Sequence, residues 1–136
     1  MLKWFFVALV IVVSFAAFGA KPEDQSDLCY AAVLDQRSSC QNIKNNDYKL
    51  LCYSLISGSE KNCDKIVDKD FKSICHSLNS EGHSNCNQIR DQNVRLLCRG
   101  LSEKSGNTCQ KIKDSNMESL CSGITQKHMV RCFDIK

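Results

Sequence analysis

From residue 45 onward, apolar side chains recur at Tyr48, Leu51, Cys52 and Leu55, three or four residues apart with mostly polar positions between. That is the spacing of one face of an α-helix, and Phe71, Ile74, Cys75, Leu78 and then Val94, Leu97, Cys98, Leu101 repeat it. Three residues before each stripe stand Asn45, Asp68, Asp91 and Asp114, side chains that accept a hydrogen bond from a free backbone N–H and so start a helix. Asp47 and Asp70, two places on, suit the positive end of the helix dipole. The pattern predicts a first helix of about ten residues. It should stop at Ser57-Gly58, at Asn79 to Gly82, or between Ser102 and Gly106, where Gly and Ser let the chain turn. A second helix of about two turns should follow, capped near Ser38, Ser84 or Asn107, presenting a Cys and an Ile at i and i+3.

The ten cysteines carry this pattern through the whole chain. They fall at 29, 40, 52, 63, 75, 86, 98, 109, 121 and 132, with gaps alternating between 11 and 12, a 23-residue period without a slip. Five units follow, residues 22–44, 45–67, 68–90, 91–113 and 114–136. Leu28, Leu51, Ile74, Leu97 and Leu120 precede the first Cys of each unit, and Ile43, Ile66, Ile89, Ile112 and Ile135 stand three residues after the second. Stacked helical hairpins bury a face that none could bury alone, so the expected fold is an all-α solenoid, right- or left-handed, of five short disulfide-stapled hairpins.

Ahead of the repeats, residues 4–20 form an apolar run behind a single basic residue, Lys3, and read as a secretory signal peptide cut after Gly19 or Ala20. Residues 21–136 are then one cysteine-rich domain, secreted or periplasmic, with no second apolar run for stable membrane insertion. Without Lys3, 17 basic residues stand against 15 acidic ones, and this net charge of +2 is too small to imply nucleic acid. The balance is uneven along the chain: the first unit sums to −2 and the fourth to +3. An oriented protein partner or head-to-tail self-association would fit that asymmetry.

In an oxidising compartment an even set of cysteines forms disulfides. Closing each unit on itself gives Cys29–Cys40, Cys52–Cys63, Cys75–Cys86, Cys98–Cys109 and Cys121–Cys132. Pairing across the alternate gaps would leave Cys29 and Cys132 at opposite ends of an open stack. Each bridge should be worth about 3 kcal/mol in the chain-entropy picture. Gaps of ten or eleven intervening residues do not make a zinc knuckle, and no C-x-x-C offers dithiol chemistry, so neither metal nor cofactor is expected. Counted from Asp68, the twelfth position of a calcium loop would be Asn79, beyond an apolar helix, so the Asp strings read as caps. His76 and His83 have no nucleophile beside them, and no catalytic residue is assigned.

Repeats bring equivalent positions into rows. The residue after the first Cys is Tyr30, Tyr53, His76, Arg99 and Ser122, a mixture of aromatic and basic side chains of the kind that anchors partners. A second row, Lys49, Lys72 and Arg95, is basic and reverses at Glu118. The expectation is an exported, non-enzymatic protein-binding module using these rows. Its most concrete form is an inhibitor or immunity-type protein against a secreted enzyme or toxin. The alternatives are a structural subunit of an extracellular or surface assembly and a secreted effector. Gln25 in the first helical stripe and His128-Met129-Val130 in the last loop look like end caps of the stack.

Overall fold

The computed structural model describes residues 22–80 and 84–136, and the expected signal peptide lies outside them. Five long helices, Pro22–Leu34, Asn46–Ser57, Lys69–Asn79, Gln92–Glu103 and Ser115–Gln126, alternate with five short ones. The short helices are Arg37–Asn42, Glu60–Lys65 and Ser84–Gln88, of 3-10 type, and Gly106–Cys109 and Met129–Phe133, of α type. Each 23-residue unit thus contributes one of each, and no strand occurs among the described residues.

The predicted caps start the long helices. The Asn45 carboxamide oxygen accepts from the backbone N–H of Asp47 and Tyr48, Asp68 accepts from Asp70 and Phe71, Asp91 from Val94, and Asp114 from Met117. The short helices of the second and fourth units are capped by Ser59 and Ser105, two residues ahead of the expected repeat position, and Gln36 and His128 start the first and last without a side-chain cap. Several long helices end on a left-handed residue, Gly58 with φ of 64° in one unit, but Asp35, Lys104 and Lys127 in others. Glycine is favoured at such a turn and not required by it.

The long helices do not form an open stack. Each packs on the next, the fifth packs on the first, and none packs on a non-neighbouring long helix. The last short helix also lies against the first long helix. The expected solenoid is therefore replaced, among the described residues, by a closed ring of five units. Neither Gln25 nor His128-Met129-Val130 caps an end. Gln25 is buried and its amide nitrogen donates to the Tyr48 hydroxyl at 3.5 Å. With Gln25 at one end of the set, Tyr48, Phe71, Val94 and Met117 fill the ring where the long helices begin, Tyr48 and Phe71 meeting edge-on at 4.5 Å.

Ring closure also overturns the expected pairing of all ten cysteines. The bridges are Cys40–Cys52, Cys63–Cys75, Cys86–Cys98, Cys109–Cys121 and Cys29–Cys132. None of Cys29–Cys40, Cys52–Cys63, Cys75–Cys86, Cys98–Cys109 or Cys121–Cys132 forms. Each short helix lies against the next long helix as well as its own, and its Cys reaches forward to that helix. The loop lengths, 11 against 12, differ too little in closure entropy to choose, so the packing direction decides. The objection that Cys29 and Cys132 would be stranded fails because the last unit lies beside the first, with their Cα atoms 5.6 Å apart.

A small residue two places after each first Cys makes room for these bridges. The series is Ala31, Ser54, Ser77, Gly100 and Gly123, all buried. Ser54 Oγ lies 3.9 Å from Cys63 Sγ, and Ser77 Oγ lies 3.4 Å from Cys86 Sγ. A Cβ added to Gly100 would stand 2.9 Å from Cys109 Sγ, and one added to Gly123 would stand 3.5 Å from Cys132 Sγ. The same relation thus holds at the closing bridge as within the ring.

Candidate functional site

The row that follows the first Cys lies where each unit meets the preceding one. Tyr30, Tyr53, His76 and Arg99 are half-buried, and Ser122 is buried. The Tyr30 ring meets Phe133 edge-on, centroids 5.4 Å apart. The Arg37 guanidinium lies 5.5 Å from the Tyr53 ring centre. His76 Nε2 is 3.3 Å from Asp64 Oδ1, and Arg99 Nη2 donates to Asn87 Oδ1 at 2.5 Å. Phe133, Asp64 and Asn87 each stand directly after the second Cys of the preceding unit in the ring. One row therefore grips the next around the molecule, and these side chains join units as well as facing solvent.

The basic row is also half-buried and partly engaged. Arg95 donates to the carbonyls of Ile89 and Arg90 at 2.8 and 3.1 Å, satisfying orphan acceptors where the third short helix ends. Glu118, where the row changes sign, accepts from Ser122 Oγ at 2.8 Å and lies 3.8 Å from Arg131. Lys49 and Lys72 form no ion pair among the described residues. At the acidic start of the ring the Asp27 carboxyl is pushed up by burial and then by Asp24 and Glu23, with Lys44 opposing. All ten cysteines are oxidised, so none is available as a thiolate ligand or nucleophile.

The more distinctive surface is the joint between the last unit and the first. Five large apolar residues are exposed among the described residues: Leu34, Met129, Val130, Phe133 and Val67. Val67 stands alone at the end of the second unit. The other four belong to the two elements that the Cys29–Cys132 bridge holds together, and Lys127 Nζ donates across the same joint to the Ala32 carbonyl at 3.0 Å. Val130 and Phe133 are 59% and 64% exposed, values that exclude a core role for most of their surface.

Comparison within the ring shows how unusual this is. Where Leu34 stands, the other units carry Ser57, Ser80, Glu103 and Gln126. Val130 corresponds to Ser38, Lys61, Ser84 and Asn107, and Phe133 to Gln41, Asp64, Asn87 and Gln110. Four copies of the same fold use polar residues at these positions, so the fold itself does not require apolar ones. Met129-Val130 stand out as atypical in the sequence, but without ring closure nothing links them to Leu34 and Tyr30, about a hundred residues away in sequence. No protein-family model, curated protein or solved structure matches this chain, and the functional reading rests on the geometry of the ring.

Proposed function

We propose that the protein is an exported, non-enzymatic protein-binding module that offers the apolar joint between its first and last units to a folded partner. The observation carrying this reading is the exposed set of Leu34, Met129, Val130 and Phe133, of which Leu34, Val130 and Phe133 stand at repeat positions that are polar in the other four units. A contiguous exposed apolar patch marks an interaction surface, since covering it contributes roughly 25 cal/mol per Å². Aromatic Tyr30, packed against Phe133, extends the patch and supplies the type of side chain that dominates interface energies. Five disulfides suit an oxidising compartment, and a stapled ring loses little conformational freedom on binding. A rigid exported binder of this kind fits an inhibitor or immunity-type protein against a secreted enzyme or toxin. A head-to-tail assembly is less well supported, because the first and last units already occupy one another.

The test exchanges the patch for the residues that the fourth unit uses there. Val130→Asn with Phe133→Gln should leave helicity, bridges and melting temperature nearly unchanged, as surface changes do. A partner captured from the producing organism's culture should bind this variant at least tenfold more weakly, the size of effect that interface anchors produce. Undiminished binding would remove the joint as the site. Lys49→Ala with Lys72→Ala serves as the control and should change the affinity little.

A further inference from the structure

The ring is filled at one end and hollow at the other. Where the long helices begin, Gln25, Tyr48, Phe71, Val94 and Met117 are all buried. Where they end, the second to fifth long helices surround a cavity of about 460 Å³. Leu55, Leu78, Leu101 and Ile124, at one repeat position, line it, and all but Leu101 are only partly buried although they pack against the main core. The residues one helical turn earlier, Leu51, Ile74, Leu97 and Leu120, are no more than 2% exposed. Three large aliphatic side chains thus keep part of their surface open to this pocket, and its volume is within the range of small-molecule sites.

Neutral Ser54, Asn79, Ser102 and Thr125 also line the cavity, and its charged groups are cationic. Lys104 and Lys127 line it, and no carboxylate does among the described residues. Both lysines hold left-handed backbones, φ 51° and 53°, at the position where the second unit has Gly58. A non-glycine residue there costs of order 1 kcal/mol, a cost that Asp35 carries at the same repeat position in the first unit. Lys127 Nζ already donates to the Ala32 carbonyl, whereas Lys104 bonds through its backbone N–H to the Gly100 carbonyl and its ammonium group forms no ion pair or hydrogen bond among the described residues.

We propose that this cavity binds a small amphiphilic anion: an aliphatic carboxylate whose chain lies on Leu55, Leu78, Leu101 and Ile124 and whose head group pairs with the ammonium groups of Lys104 and Lys127. This site stands apart from the protein-binding joint and does not depend on it. The carboxylate replaces solvent around Lys104 with a charge-assisted hydrogen bond, while the chain removes the partly exposed aliphatic surface from water.

The probes are sodium octanoate and 1-octanol, titrated into the oxidised protein and followed by methyl NMR. Octanoate should saturate one site, shift the methyl signals of Leu55, Leu78, Leu101 and Ile124, and bind at least tenfold more tightly than octanol. Lys104→Gln should weaken octanoate at least threefold and leave octanol unchanged. This substitution is on an exposed side chain, so folding is not at stake, whereas Leu78→Trp, which fills the cavity, is informative only together with an intact circular dichroism spectrum. The proposal is overturned by an absence of saturable shifts at millimolar octanoate, by shifts confined to Met129, Val130 and Leu34, by equal affinity for octanol, or by an unchanged affinity in Lys104→Gln.

Discussion

Three positions show how much the ring depends on single residues. A Cβ on Gly100 would stand 2.5 Å from Cys121 Sγ, and one on Gly123 would stand 2.8 Å from Cys29 Sγ; neither sulfur can retreat from its bridge. Gly100→Ala and Gly123→Ala should each lower the unfolding free energy by about 1–3 kcal/mol, the usual cost of overpacking. Gly106→Ala is the control: its Cβ would meet the end of the flexible Gln126 side chain at 2.6 Å, so urea unfolding should register a smaller loss. The third position is Tyr48. Burial pushes its phenol well above the ordinary 10.0. The unfolded chain therefore releases this proton first, so stability is unaffected below about pH 10 and falls as pH rises beyond it. Tyr48→Phe should flatten that alkaline decline in denaturation curves collected between pH 9 and 12.

At the scale of an element, the start of one long helix is tied to the start of the next. The third residue of a unit reaches the backbone where that unit ends. Asp24 accepts from the N–H of Lys44 and Asn45 at 2.8 and 3.0 Å, Asp47 from those of Val67 and Asp68, Asn93 from Lys113 and Asn116 from Lys136. The sequence offered Asp47 and Asp70 only as dipole partners, because a contact twenty residues ahead has no periodic signature. Asp24 is 4% exposed, and its two backbone donors have no ready substitute. Asp24→Ala should cost about 2–3 kcal/mol, the range for hydrogen bonds to a charged group, and more than Asp47→Ala, whose bonds are solvent-exposed. Equal changes in denaturant midpoint would show that burial adds nothing to this tie.

For the whole molecule, closure is the property to test. Non-reducing peptide mapping should recover Cys29 linked to Cys132 and the four bridges that join successive units. The closing bridge spans 103 residues and each of the others 12. In the chain-entropy model this corresponds to about 4.7 against about 3 kcal/mol. Replacing Cys29 and Cys132 together by Ala should therefore destabilise more than replacing Cys63 and Cys75. A ring of equivalent units also has no privileged break. Joining Lys136 to Pro22, both of which line one open groove, and opening the chain between Val67 and Asp68 should give a permutant with the same five bridges. A permutant with scrambled cysteines would mean that the natural break directs the pairing.

The local layer of this protein was legible in its sequence because it follows from short-range chemistry. The 3.6-residue stripes, the Asn and Asp caps and the 23-residue period determined ten helical segments in five units. The small residues at Ala31, Ser54, Ser77, Gly100 and Gly123 carry no such reading by themselves, because their meaning depends on which sulfur lies beside them. Tertiary structure alone decided the curvature. A small rotation repeated five times determines whether the last unit drifts past the first or meets it, and no residue pattern in a single unit encodes that sum. Closure then selected Cys29–Cys132 and reversed every other pairing. It turned the expected end caps into a joint and gathered Leu34, Met129, Val130 and Phe133 on it.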